Sequence, residues 1–184
     1  MEKEKWQIPF DHPNAVSLLT QRLDELLAPH SHRPLLCLCI GTDRSSGDTL
    51  GPLVGTLLTE APSPKIQICG TLAQPVHAFS LNQTVAEIKQ LANAPFIIAI
   101  DASLGKQKEV GMVEVGEGAL VPGKGVGKKL PPVGDIHIKG IVNAAGAMPS
   151  HILQTTRFHV TYEMATKISR ALLTVAAAHS TPPD

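Results

Sequence analysis

Two aspartates carry the chemistry that this sequence suggests. Asp48 lies in the loop IGTDRSSGDTLGP (residues 40–52), and Asp101 follows the apolar run FIIAI (residues 96–100). Two carboxylates that share a site cannot easily both ionise, so the pKa of one rises and the pair can supply an acid and a base to an attacking water. We therefore predict that the two side chains meet and activate a water for hydrolysis.

Each aspartate comes after a segment that is predicted to be a buried strand. Residues 35–40 and 96–100 are unbroken apolar runs, which is typical of strands covered on both faces of a parallel sheet. In an open α/β sheet, residues just beyond the carboxyl ends of the strands line the ligand crevice. If the two strands are neighbours, about 4.8 Å apart, Asp48 and Asp101 are close enough for their carboxylates to interact.

The remaining periodicity places helices between the strands. The predicted elements are helices over residues 15–27, 50–59, 85–91 and 162–178 and strands over residues 35–40, 65–70, 96–100, 110–115 and 136–141. Asp48 or Thr49 is expected to cap the helix that begins at residue 50. Strands that alternate with helices favour right-handed crossovers. We predict an α/β protein with three α/β/α layers, a mostly parallel (mixed) central sheet and a phosphorylase/hydrolase-like fold.

The composition excludes several classes of protein. The 184 residues fit one domain over 1–184, whose ends at 1–13 and 180–184 are expected to be flexible. Sixteen basic residues balance sixteen acidic ones, so the chain lacks the positive field of a nucleic-acid-binding protein. No apolar run approaches the roughly 18 residues of a membrane-spanning helix. The three cysteines lie in predicted strands, which indicates reduced, buried thiols and an intracellular protein.

A second stretch rich in glycine is expected to border the cleft. Residues 116–134 are predicted to form a loop, and its segment VPGKGVGKK (residues 121–129) offers backbone amides and lysines to a peptide or an anion. The alternative is a solvated, flexible loop. The predicted substrate-binding residues are Asp43, Gly123, Lys124 and Gly125.

Other chemistries receive less support from the motifs. The loop over residues 41–51 matches neither the dinucleotide-binding fingerprint nor the P-loop, and an aspartate at the start of a helix repels phosphate. No G-x-S-x-G motif marks a serine nucleophile. His77 or His137 could join the two aspartates around a divalent metal, so a metal-assisted hydrolase is an alternative. We expect no metal and no other cofactor.

Three segments together resemble the YyaC sporulation-protein family. They are IGTDRSSGDTLGPLVG, IAIDASLG and LPPVGDIHIKGIVN, and the resemblance extends over approximately residues 35–171. That family is in turn similar to the germination protease of bacterial spores, which degrades small acid-soluble spore proteins. The agreement with this protease includes Gly41, Asp48, Leu50, Gly51, Pro52, Asp101 and the segment PGKGVG at residues 122–127.

The resemblance implies a role for the two aspartates. Asp48 and Asp101 correspond to the aspartates implicated in the metal-independent mechanism of the germination protease. The hydrogenase maturation proteases are more distantly similar, share the three-layer fold, and carry a D-[ED]-G motif in the corresponding loop. Their metal-binding carboxylate would fall at or next to Thr49, whose side chain cannot replace it.

The function that the resemblance implies is an aspartate-dependent endopeptidase active during sporulation or germination. Its substrate would be a peptide or a small spore protein, in the cytoplasm of the forespore or in the spore core. A homo-oligomer is compatible with this reading, and neither nucleic acid nor membrane is expected as a partner. The alternative from another class is a catalytically silent sporulation protein that binds a peptide or protein in the same cleft.

Overall fold

A computed structural model describes residues 6–61, 66–123 and 130–178. Within these ranges the chain forms six strands and five α-helices. The strands are β1 (Trp6–Pro9), β2 (Leu35–Cys39), β3 (Ile66–Cys69), β4 (Phe96–Gly105), β5 (Met112–Glu117) and β6 (Ile136–Ala144). The helices are α1 (Ala15–Leu27), α2 (Leu50–Glu60), α3 (Leu81–Lys89), α4 (Pro149–Gln154) and α5 (Phe158–Ala178).

The strands form one mixed sheet in the order β1-β5-β6-β4-β2-β3. The four strands β3, β2, β4 and β6 are parallel, whereas β5 runs antiparallel to β6 and β1 runs antiparallel to β5. β2, which precedes Asp48, and β4, which contains Asp101, are direct neighbours, with Cys39 opposite Ile100. This topology brings the chain beyond β2 next to Asp101.

Helices cover both faces of the sheet, because successive strand residues point to opposite sides and both sides are apolar. On one face, α1, α2 and α5 pack with Cys37 and Ile98 in the larger part of the core. On the other face, Leu38 and Ala99 pack with Leu81 of α3. The predicted three-layer α/β/α fold with a mostly parallel, mixed sheet is confirmed. None of the helices in the described ranges has the length and apolar character needed to cross a membrane.

The prediction of a flexible end over residues 1–13 is wrong for part of that segment. Trp6–Pro9 forms β1, which pairs with β5 at the edge of the sheet, and Ile8 is buried. A strand of four residues is too short to show a periodic pattern, so only its pairing reveals it. The other end that was expected to be flexible, residues 180–184, lies outside the described residues.

Three helices differ from the prediction: α3 and α5 start earlier, and α4 was missed. α3 begins at Leu81 rather than at residue 85, and α5 begins at Phe158 rather than at residue 162. α4 has only six residues and begins at a proline, which is favourable in the first helical turn. The loop predicted over residues 116–134 begins later, because Gly116 and Glu117 belong to β5, and its described remainder contains one isolated bridge, between Leu120 and Val133.

The buried cysteines lead to a simple prediction about thiol reactivity. Burial raises the pKa of Cys37 to about 12, and burial together with the neighbouring thiols raises that of Cys39 well above its usual value. Cys69 is only partly buried, although burial and the charge of Glu87 also raise its pKa. Because the thiolate is the reactive form, we expect iodoacetamide to label Cys69 alone in the native protein.

Mass spectrometry of the labelled protein, before and after unfolding in urea, checks this expectation. All three cysteines are expected to react once the protein is unfolded. Labelling of Cys37 or Cys39 in the folded protein, as fast as in urea, would contradict the burial described above.

Candidate active site

The strand that bears Asp101 is longer than its sequence suggests. Asp101 lies inside β4 rather than after it, because β4 continues to Gly105 alongside β6. β2, on the other side, ends at Cys39 opposite Ile100, so Asp101 is the first residue of β4 beyond the end of β2. The crevice therefore opens at the end of β2. The part of β4 that continues beyond this point forms one of its walls.

The loop that follows β2 carries Asp48 back over this opening. At Gly41 the backbone has φ +145°, and a Cβ there would lie 2.0 Å from the carbonyl oxygen of Asp48. The N–H of Thr42 donates to that same oxygen (3.0 Å), and the N–H of Asp48 donates to the carbonyl of Ser45 (3.0 Å). Thr49 occupies the N-cap position of α2, but its hydroxyl donates to the carbonyl of Ser45 (2.8 Å) and accepts no N–H of that helix. These hydrogen bonds join residues within the loop and hold its two ends close together.

A second set of hydrogen bonds fixes the loop to the junction between α4 and α5. The N–H of Gly47 donates to the carbonyl of Leu153 (2.9 Å), and the hydroxyl of Ser46 donates to the carbonyl of Thr156 (2.7 Å). Asn143 of β6 in turn donates to the hydroxyl of Thr156 (3.2 Å). The position of Asp48 therefore depends on segments more than a hundred residues away in the sequence.

Both aspartates line one cavity of about 320 Å³ at this edge of the sheet. Its walls come from the loop after β2, the part of β4 beyond β2, and the segment after β5. The other residues that line it are Ile40, Gly41, Ala78, Ala102, Ser103, Leu104, Ala119, Leu120, Val121, Pro122, Gly123, Leu130, Lys139 and Leu153. The cavity combines an apolar wall with a few polar groups, which is typical of ligand sites.

The predicted substrate-binding residues have different positions. Gly123 lines the cavity, as expected of the glycine-rich stretch. Asp43 is exposed and is not among the described residues that line the cavity. Lys124 and Gly125 lie outside the described residues.

Asp101 has an unusual electrostatic environment for a carboxyl group. It is 8% exposed, and this burial, followed by the charge of Asp48, raises its pKa well above the usual value of an aspartate. Hydrogen bonds from the backbone N–H groups of Ala102 and Gly123, and the charge of Lys139, act in the opposite direction but do not cancel the increase. Asp101 therefore keeps its proton at pH values at which an ordinary aspartate is ionised. Asp48 is only partly buried.

A row of polar residues continues from Asp101 across three further strands. Asp101 is in register with Lys139 of β6, Lys139 with Glu114 of β5, and Glu114 with Gln7 of β1. The ammonium of Lys139 donates to Oε1 of Glu114 (2.9 Å), and the amide of Gln7 donates to Oε2 (3.0 Å). Nε2 of His137 lies 3.5 Å from Oε1 of Glu114. His137 and Lys139 hold the pKa of Glu114 well below its usual range.

Sequence reasoning missed this row, although the sequence contains a signal for it. In the segment IHIKG of β6, apolar and polar residues alternate, so His137 and Lys139 must share one face of the strand. That face is turned toward the cavity side of the sheet, with Ala99 and Asp101 of β4. The sequence could have identified Lys139 as a second polar group near Asp101.

The described residues do not provide the ligands of the metal-assisted alternative. Within 6–61, 66–123 and 130–178, no three side chains of His, Cys, Asp or Glu are grouped so as to hold a metal ion. Nδ1 of His77 accepts the N–H of Ser80 (3.3 Å), and Nδ1–H of His137 donates to the carbonyl of Gly118 (2.9 Å). Neither histidine is among the described residues that line the cavity.

The fold is similar to that of a known protease. The chain superimposes on the [NiFe] hydrogenase maturation protease HycI from Thermococcus kodakarensis KOD1 with a TM-score of 0.52, over 85% of this chain and 99% of HycI. The two sequences are 16% identical, so the likeness concerns the fold.

Two comparisons of the sequence agree on its family. A family model described as "Protein of unknown function (DUF1256)" matches residues 7–171. The "Uncharacterized protein YyaC" of Bacillus subtilis (strain 168) is 41% identical over 171 residues, which cover 93% of this chain and 83% of YyaC. The resemblance to YyaC that the motifs predict is confirmed, and the chain belongs to the DUF1256 family.

Proposed function

We propose that this protein hydrolyses peptide bonds with a water that is activated between Asp48 and Asp101. The observation that carries the proposal is the environment of Asp101, a buried carboxyl whose pKa is raised by its burial and by the charge of Asp48 in the same cavity. Two carboxyl groups with different environments can hold one proton between them at neutral pH. Such a pair supplies a base and an acid at once.

The different burial of the two groups assigns their roles. Asp48, the more exposed carboxylate, takes a proton from the water as the water oxygen bonds to the carbonyl carbon of the peptide. Asp101, the buried and protonated carboxyl, gives its proton to the amide nitrogen as the C–N bond breaks. A carboxylic acid and an amine leave, and transfer of the proton from Asp48 to Asp101 restores the starting state.

The substrate proposed for this site is a peptide or a small spore protein. A cavity of about 320 Å³ admits a short stretch of peptide rather than a folded domain. The role in sporulation or germination, in the forespore or spore core, is proposed from the resemblance of three motifs to the YyaC sporulation-protein family, two of which contain Asp48 and Asp101. The fold that the chain shares with HycI, which is a maturation protease by name, supports a proteolytic activity.

A second candidate is a protein that binds a peptide in this cavity without cleaving it. One observation favours it: the carboxyl of Asp101 already accepts hydrogen bonds from the backbone N–H groups of Ala102 and Gly123. A carboxyl engaged in this way can be a purely structural group. Both candidates use the same cavity, so only a test of bond cleavage separates them.

The proposed function predicts cleavage that incorporates oxygen from water. The purified protein is incubated with a proteome-derived peptide mixture in oxygen-18 water, and mass spectrometry identifies new carboxyl termini that carry the isotope. We expect labelled termini with the parental protein, also in the presence of a chelator, and none with Asp48→Asn. The exposed variant Asp11→Asn is a matched control that should cleave like the parental protein.

Two results would count against hydrolysis by the aspartate pair. Cleavage by Asp48→Asn at the parental rate would show that another group activates the water. Peptides that the parental protein retains on a column but never cuts would favour the silent candidate.

A further inference from the structure

A lysine lies beside Asp101 on the floor of the same cavity. Lys139 of β6 is in register with Asp101 of β4 on the neighbouring parallel strand, and both residues line the cavity. Neighbouring strands are about 4.8 Å apart, and residues in register point to the same side of the sheet. A substrate that contacts the carboxyl of Asp101 is therefore within reach of the ammonium of Lys139.

The ammonium of Lys139 is bound by Glu114 of β5, which lies on the opposite side of β6 from Asp101. Its bond to Oε1 of Glu114 is 2.9 Å long, and Glu114 is only 5% exposed. Both oxygens of this carboxylate are occupied, since Gln7 donates to Oε2 and His137 lies near Oε1. A carboxylate fixed in this way fixes the direction of its lysine partner.

Stability alone does not explain this arrangement. Removing charges from water costs free energy, and a buried ion pair is often no more stable than two apolar side chains that fill the same space. Glu114 is buried whereas the side chain of Lys139 is 30% exposed, so a carboxylate gives up its hydration to hold an ammonium at the cavity. The charge lines the same cavity as Asp48 and Asp101, within reach of a carbonyl group on which the two aspartates act.

We propose, on the basis of the proposed function, that Lys139 is a catalytic residue whose ammonium stabilises the negative charge on the substrate carbonyl oxygen, and that Glu114 is its positioning residue. As the water adds, the electron pair of the C=O bond moves onto oxygen, and it returns when the C–N bond breaks. Lys139 keeps its protons throughout. An ammonium has three N–H donors, and the bond to Glu114 uses one of them.

The expected loss of rate on removing Lys139 follows from the kind of interaction that its ammonium makes with the substrate oxygen. A donor that is preorganised toward a developing oxyanion in a water-poor site typically contributes about 100-fold to 1000-fold in rate. Such a group acts in the transition state, so its loss should lower kcat with little change in KM. A lysine that served only to bind substrate would change KM instead.

The test compares charge-removing and charge-keeping substitutions on a peptide identified by the oxygen-18 screen. We expect Lys139→Met to reduce kcat by about 100-fold or more with KM within about threefold. Lys139→Arg keeps the charge and should retain more activity than Lys139→Met, and Glu114→Gln should lose an intermediate amount. Lys167→Met is the matched control, because Lys167 pairs with Glu163 on α5 and is not among the described residues that line the cavity.

A double variant is the control for a loss of activity that is caused by misfolding. Lys139→Met leaves Glu114 buried without the ammonium that it binds, whereas Lys139→Met with Glu114→Gln removes both charges. Thermal unfolding shows which variants are folded. A parental kcat in any folded variant without Lys139, or a change in KM alone, overturns the proposal for Lys139 and leaves the proposed function intact. A parental protein that cleaves no peptide overturns both.

Discussion

Replacing Asp101 with asparagine is expected to reduce kcat by about 100-fold to 10,000-fold, the usual contribution of a general acid. The amide has the shape of the carboxyl and can still accept the N–H groups of Ala102 and Gly123 through its oxygen. It cannot give a proton to the leaving nitrogen. The loss should therefore appear in the chemical step and not in the fold.

The same substitution is expected to stabilise the protein at neutral pH. The pKa of Asp101 in the folded state lies above its ordinary value of 3.8, so the folded state binds more protons than the unfolded state between these two pKa values. Stability therefore falls as the pH rises from the unfolded pKa through the raised folded pKa. Asparagine does not ionise, so Asp101→Asn avoids this loss.

Two measurements check this prediction together. The advantage in Tm of Asp101→Asn over the parental protein should be larger at about pH 8 than at about pH 4, because only the parental carboxyl ionises in between. In the parental protein, kcat should decline as the pH rises through the raised pKa of Asp101. The exposed variant Asp11→Asn should show neither effect.

Either of two results would contradict the assignment. A folded Asp101→Asn that retains the parental kcat would show that Asp101 gives no proton to the leaving group. An advantage in Tm that does not change with pH would show that burial and Asp48 do not raise the pKa of this carboxyl in solution.

The central part of the fold could be predicted because its signals are local. The runs at residues 35–40 and 96–100 are apolar at every position, and a strand with both faces covered requires this pattern. The expectation that Asp48 and Asp101 share a cavity used only the rule that ligands bind beyond the carboxyl ends of parallel strands. The structure has them in one cavity, while their role in hydrolysis stays a prediction.

The features that the sequence did not predict depend on pairing between distant parts of the chain. Asp101 lies within β4 because β6 pairs with the polar continuation ASLG, which has no strand pattern of its own. The contact between Glu114 and Lys139 joins residues 25 apart through the antiparallel register of β5 and β6. Register depends on both strands of a pair, so it cannot be read from the local pattern of either strand alone.

A substitution in the loop that holds Asp48 is expected to have a large effect on stability. Gly41→Ala should lower the free energy of unfolding by more than about 3 kcal/mol. An alanine at φ +145° is strained by about 1–3 kcal/mol in itself. Its Cβ would also lie 2.0 Å from the carbonyl oxygen of Asp48, a backbone atom that cannot rotate away. The loop must therefore open and displace Asp48, so the activity of any folded fraction should also fall.

Gly118→Ala is the control that separates backbone strain from the collision. Gly118 also has a positive φ, +84°, but a Cβ there would have nothing within 4 Å, so this variant should lose only the strain of about 1–3 kcal/mol and keep its activity. Urea unfolding measures both free energies, and the peptide assay measures both activities. If the two alanine variants lost the same stability, or if Gly41→Ala kept the parental kcat, the close contact between Gly41 and Asp48 would not be what positions this aspartate.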